Sequence, residues 1–145
     1  MGVVVGIVVA VVLAALAAGM WFVLRNAGRS REALARIREA HAGAAVLPTA
    51  LFEGPASPAE RARVIAVVAD RRGLSFRDRL GAEVLRVDAD VILSLELAPL
   101  APRGPRPARL ERIDGPPLAF WAGATPDQQL DTIVALRTAL GRPLG

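Results

Sequence analysis

The chain has 145 residues, with 18 basic side chains against 14 acidic ones and a formal net charge of +4. All of the basic residues are arginine, there is one histidine and no cysteine. The missing cysteine excludes disulfides, thiol chemistry and cysteine-based metal sites.

The first element is Val3–Leu24, 22 consecutive residues without a charge. At about 1.5 Å of rise per residue it reaches about 33 Å, which covers a hydrocarbon core of about 30 Å with modest tilt. It is too long, and too poor in charge ahead of its apolar run, for a cleaved signal peptide, so residues 1–24 are expected to be an uncleaved transmembrane anchor. Arginines follow it at Arg25, Arg29 and Arg31, whereas Met1 and Gly2 bring none. Positive flanks favour the cytoplasmic side, which places the N-terminus outside and the remaining chain at the inner (plasma) membrane face of the cytoplasm. Trp21 and Phe22 would then stand at the membrane interface beside those arginines. Gly2, Gly6, Ala10, Ala14 and Ala18 recur every fourth residue, a helix-packing face that admits another copy of the chain or a larger membrane protein.

Residues 25–43 form a basic juxtamembrane connector. Five Arg and two Glu between residues 25 and 42 give a local charge of +3, leaving 13 Arg against 12 acids, or +1, in 43–145. Basicity is therefore concentrated where it can meet anionic lipid at about 1 kcal/mol per charge. Ser30 is a candidate N-cap for a short helix through Ala42; equally, the anchor helix simply continues past Gly28.

Residues 44–145 read as a β-rich domain. Ala44–Phe52 is a strand edged by Pro48, and Glu53–Pro58 a loop. Ala62–Ala69 is apolar and β-branched, as in a buried strand, with a helix over Pro58–Ala69 as the competing assignment. Turns at Asp70–Gly73 and Asp78–Gly81 separate short strands at Leu74–Phe76 and Glu83–Val87. Val91, Leu93, Leu95 and Leu97 alternate with Ser94 and Glu96, the pattern of a half-buried strand. Pro99, Pro102, Pro105 and Pro107 end it in a loop. Strands at Arg109–Ile113 and Leu118–Trp121 flank the Asp114–Gly115 turn. Thr125 as N-cap, Pro126 and Gln128 open a closing helix over 125–141, with Leu130, Ile133, Val134 and Leu140 as its apolar stripe and Gly141 and Pro143 as its stop.

The expected fold class is thus an N-terminal transmembrane helix followed by a mainly-β domain of about seven antiparallel strands, curled into a barrel and closed by one C-terminal helix. The succession GLSFRD, DADVILSLEL, a Pro-rich excursion, ERIDG, PLAFWA and TPDQQLDTIVALRTALG resembles the bacterial pleckstrin-homology-like (PH-like) domains, particularly those with an N-terminal membrane helix. The resemblance spans Val46 to Gly141. The arginine- and lysine-rich first hairpin that holds phosphoinositides in such domains has no counterpart here, so the resemblance implies a fold and no headgroup site.

Chemistry-bearing constellations are few. Asp88 and Asp90 stand two apart, as in solvated turns, and His41 has no hydroxyl beside it in sequence. No catalytic residue, metal ligand or cofactor is expected, and the chain reads as no enzyme. Arg103, Arg106 and Arg109, with Trp121, form a candidate interaction loop; Glu111 and Asp114 dilute it as a nucleic-acid strip, and no nucleic acid is expected. The function expected is a single-pass interaction module that presents a PH-like domain to an unknown protein partner beside the lipid bilayer. The alternatives are an accessory subunit held through its transmembrane helix, with a homo-oligomer as one form, and a peripheral sensor of anionic lipid.

Overall fold

The computed structural model describes residues 2–99 and 105–142, and the chain divides into two compact units, Met1–Glu32 and Ala33–Gly145. Arg103 and Pro102 of the expected loop, and Pro143 after the last helix, lie outside the described residues. Helix α1 spans Gly2–Ala40 and is long and apolar enough near its start to cross a membrane. It continues through Gly28 and Ser30, so Ser30 caps nothing: a lone glycine or serine costs a helix about 1 kcal/mol or less, too little to end one.

The second unit begins with the last turns of α1. Ala33 and Ile37 are buried there, and Ile37 packs with Val46, Ala66 and Val68, flanked by Leu34, Ala44 and Ile65. These residues carry the outer face of the first of two sheets. Among the described residues eight strands follow: β1 (Ala45–Pro48), β2 (Leu51–Glu53), β3 (Ala66–Asp70), β4 (Gly73–Arg77), β5 (Glu83–Asp88), β6 (Ile92–Leu97), β7 (Ala108–Arg112) and β8 (Leu118–Phe120). They form two four-stranded antiparallel sheets, β1-β3-β4-β5 and β2-β8-β7-β6, instead of one meander of about seven strands closed into a barrel. The expected first strand is cut in two, because Pro48 has no N–H to donate and the chain bends at Pro48–Ala50 to leave one sheet for the other.

The segment Pro58–Ala69 is both things the sequence suggested. Pro58–Arg63 is a short helix, α2, capped by Ser57, whose side chain accepts from the Glu60 N–H; Ala66 then opens β3. A cap, a proline at the first position and Glu60 favour the helix only until the β-branched run Val64–Val68 takes over.

Both inner faces share one core. Val67, Ala69, Leu74, Phe76 and Val87 from the first sheet meet Leu95, Leu110, Leu118 and Phe120 from the second. Phe76 and Phe120 touch edge to face, with ring centroids 5.3 Å apart and planes at 71°, which fixes the spacing between sheets. The alternation in β6 is shifted. Ile92 and Leu95 are buried and Leu93 is 62% exposed, because the register slips between Ile92 and Ser94. A bulge of this kind moves side chains across the sheet plane.

Helix α3, Pro126–Ala139, lies against β1, β3 and β6. Thr125 accepts from the Gln128 N–H, and Gln128 Oε1 accepts from the Ala124 N–H at 3.1 Å. Its end is a left-handed Gly141 (φ +73°) with the Arg142 N–H bonded to Arg137 O at 2.9 Å. The buried stripe is Gln129, Ile133, Leu136 and Leu140; Leu130, expected inside, is 55% exposed. The helix is rotated towards Gln129 because that side chain finds a buried acceptor, Gly123 O, at 3.1 Å.

The rotation is testable by urea unfolding of the full-length protein in detergent. Leu136→Ala should cost about 2–5 kcal/mol, and Leu130→Ala no more than about 0.5 kcal/mol. Equal costs would place the helix in the other orientation.

Candidate functional site

The residues Trp121–Gly123 form a strap between β8 and α3, and each carbonyl of that strap accepts a hydrogen bond from a side chain. Thr49 Oγ1 donates to Trp121 O at 2.7 Å, Thr132 Oγ1 to Ala122 O at 2.6 Å, and Gln129 Nε2 to Gly123 O at 3.1 Å. The Trp121 N–H donates to Ala50 O at 2.8 Å, tying the strap to the bend between β1 and β2. Thr49 and Gln129 are buried polar residues whose hydrogen-bonding capacity is used here, as burial requires.

Alongside the strap runs a groove of about 430 Å³. It is lined by Leu47 and Pro48 of β1, by Trp121 of the strap, and by Asp131, Thr132 and Ala135 of α3. Its lining is largely apolar, with the Asp131 carboxylate at the exposed rim. Asp131 makes no ion pair among the described residues, so its charge faces water. A groove with apolar walls and one unpaired carboxylate suits an extended segment carrying an apolar side chain beside a cation.

The expected interaction loop does not gather into one site. Trp121 lines this groove, whereas Arg106 and Arg109 line a different one with Pro99 and Glu111. Arg106 Nε donates to Ala98 O at 2.7 Å, and Arg109 is paired with Glu111 at 2.7 Å. Both cations therefore serve their own sheet.

Asp88 is held by Arg86 at 3.0 Å, and that hydrogen bond, opposed by slight desolvation, raises the pKa of the Arg86 guanidinium. Among the described residues no cluster of three or more His, Asp or Glu is placed to hold a metal ion. His41 lines a separate groove with Arg36 and Arg79, and no hydroxyl side chain shares it.

In the first unit, Gly2, Gly6, Ala10, Ala14 and Ala18 are all exposed on α1, as are Trp21, Phe22, Arg25, Arg29 and Arg31. The Arg25 guanidinium stands over the Trp21 ring, 5.0 Å from its centroid, a cation–π contact one helical turn long.

Sequence reasoning named Trp121, at the end of its expected strand Leu118–Trp121, as part of the interaction loop; the structure leaves it half-buried. The same reasoning missed Leu47, Asp131 and Thr132, whose association depends on α3 crossing the open edge of β1, and no local pattern carries that. No protein-family model and no curated protein sequence matches this chain.

The strap is testable through Thr49. In a Trp21→Phe background, Thr49→Val should lower stability by about 1–3 kcal/mol by orphaning a buried carbonyl, and should shift the emission of the remaining Trp121. Unchanged emission and stability would show that the strap is held without Thr49.

Proposed function

We propose that this protein is a single-pass membrane-anchored, non-enzymatic interaction module. Its α1 residues cross the membrane with the N-terminus outside, and its β-domain presents the Trp121 groove in the cytoplasm to an extended, apolar and basic segment of a partner protein. The observation that carries the reading is that groove: it is largely apolar, built on a strap whose three carbonyls are all fixed by side chains, and lined by an exposed carboxylate, Asp131, that is unpaired among the described residues. A pre-organised groove loses little entropy when it is filled, and this suits binding more than turnover.

A PH-like fold is supported by element order. The first strand serves both sheets through its Pro48–Ala50 bend, the remaining strands run as two antiparallel sets, and one C-terminal helix packs over them. At β1 and β6, two of the four outer strands and the two beside α3, the edges favour the groove over strand addition as the binding mode. At β1, Pro48 removes a donor; at β6, Arg137 Nε donates to Leu95 O at 2.9 Å and Arg142 Nη1 to Ile92 O at 2.6 Å. Blunted edges of this sort resist an added strand.

Orientation is checked first. The chain has no cysteine, so Gly2→Cys and Ala124→Cys give unique labels. An impermeant maleimide applied to intact cells with an exposed inner membrane should label the first and spare the second; the reverse pattern would invert the topology. Binding is checked with peptides that pair a leucine with an arginine, titrated into full-length Trp21→Phe protein in detergent. Trp121 emission should change saturably, and Asp131→Asn should weaken binding by about two- to fivefold, the worth of one exposed ion pair. No response from any such peptide would remove the groove as the docking surface.

A further inference from the structure

The groove beside Trp121 asks its occupant for an apolar side chain next to a cation, and one turn of this same chain offers that pair. Outside α1, the large apolar side chains exposed among the described residues are Phe52, Leu80, Leu93, Ile113 and Leu130. Four of them have the wrong neighbours. Phe52 precedes Glu53, Leu93 lies between Ile92 and Ser94, and Leu130 precedes Asp131. Ile113 follows Arg112, but that guanidinium is buried, held by Asp114 at 3.5 Å and bonded to Pro116 O at 2.9 Å. Leu80 alone follows an exposed arginine, Arg79, that makes no ion pair among the described residues.

The turn between β4 and β5 that carries the pair is rigid. Leu80 is 90% exposed at its tip. Asp78 Oδ1 accepts the N–H groups of Leu80 at 2.9 Å and Ala82 at 3.0 Å, and the Asp78 N–H donates to Ala82 O at 3.0 Å. The Gly81 N–H donates to Asp78 O at 3.0 Å, and Arg77 Nη1 to Gly81 O at 3.0 Å. Gly81 sits at φ +79°, a left-handed position that a side chain would strain. A tip pinned in this way loses little freedom when it docks.

Tip and groove open at the same end of the first sheet. The register pairs Pro48 with Ala66 and Ala66 with Arg77, so the turn beginning at Asp78 stands two strands, about 10 Å, from the Pro48 of the groove. Leu80 does not line that groove, so a chain does not fill its own.

We infer that the groove, on whose reading as a docking surface this rests, receives a second copy of this chain: the partner's turn places Leu80 against Leu47 and Trp121, and Arg79 against Asp131. Because both features stand at one end of the domain, a two-fold axis beyond that end lets each copy give its turn and receive the other's. The pair is then closed and uses every contact twice. One leucine and one exposed ion pair on each side make a small interface of the transient class. Two chains held in one membrane meet at high effective concentration, where such an interface suffices.

The experiment uses two forms of the full-length protein reconstituted together in liposomes, one with Ala82→Cys at the turn and a size tag, the other with Ala135→Cys in the groove. The chain has no cysteine of its own, so a short bifunctional maleimide should join the two forms through these positions. Made in both forms, Leu80→Ser should cut the yield about tenfold, and Asp131→Arg should do the same by setting two guanidinium groups face to face. Adding Arg79→Asp to the Asp131→Arg protein should restore the yield to within about twofold. Joining that ignores Leu80→Ser and the charge reversal would mean copies gathered by α1 alone and would overturn the inference, as would a double variant that fails to recover. No joining in protein whose Trp121 emission still responds to leucine–arginine peptides overturns the inference and leaves the groove as a surface for another protein. No joining and no peptide response overturns both readings.

Discussion

The β-domain depends on the bond from Thr49 Oγ1 to Trp121 O at 2.7 Å and its companion from the Trp121 N–H to Ala50 O at 2.8 Å. They lie where one extended segment leaves the first sheet, at Pro48, and joins the second, at Leu51. Each sheet alone would expose an apolar face, and four short strands cannot hide one. Linking them at this corner lets Phe76 and Phe120 meet across the interior, and the rest of the core follows from that spacing. The same corner fixes the strap, and the strap lines the groove. Stability and the proposed docking surface thus share their hydrogen bonds.

Edges explain why the groove is where it is. Two sheets of four strands present four outer strands: β1, β5, β2 and β6. Helix α3 covers two of them by different means. At β6, Arg137 of α3 and Arg142 just past its end donate to the backbone carbonyls of Leu95 and Ile92, and Arg142 also to Ala89 ahead of the strand, satisfying acceptors directly. At β1 the helix sets small residues of its own, such as Ala135, against Pro48, which gives it less to bond and leaves space between helix and strand. One helix therefore seals one edge with charge and leaves the other as an apolar furrow. The sealing side chains are long and the furrow-side ones short, so the asymmetry is written in α3 itself.

The order of elements was legible in the sequence; their faces were less so. Val3–Leu24 announced α1 by length and lack of charge, and Thr125-Pro126 announced α3 by cap chemistry. Reading faces by periodicity failed at two places. The alternation of Val91, Leu93, Leu95 and Leu97 breaks at a bulge that depends on pairing with β7, a strand that comes after the Pro-rich loop. The stripe of α3 took Gln129 in place of Leu130 because a buried glutamine with an acceptor is tolerated, and Gly123 O supplies one. Both outcomes turn on partners distant in sequence, which period counting cannot see. Trp121 was recognisable as an aromatic at the end of a strand, but its neighbours Leu47 and Asp131 lie 74 residues before and 10 after it.

Anchoring changes what affinity such a surface needs. A groove of about 430 Å³ with one rim carboxylate is modest for a free protein, since association costs about 4–15 kcal/mol of lost motion. For two chains confined to one membrane, part of that loss has been met before they touch, and the effective concentration of one near the other rises accordingly. A weak, rigid and shallow groove is then sufficient, and a tight one would hold its partner too long. The balance of this molecule fits that regime: a long apolar helix consuming the first quarter of the chain, a small core fixed by few hydrogen bonds, and surface features that are pre-organised without being deep. In the function proposed here the anchor would belong to the binding mechanism, because it would lower the threshold that the groove has to clear.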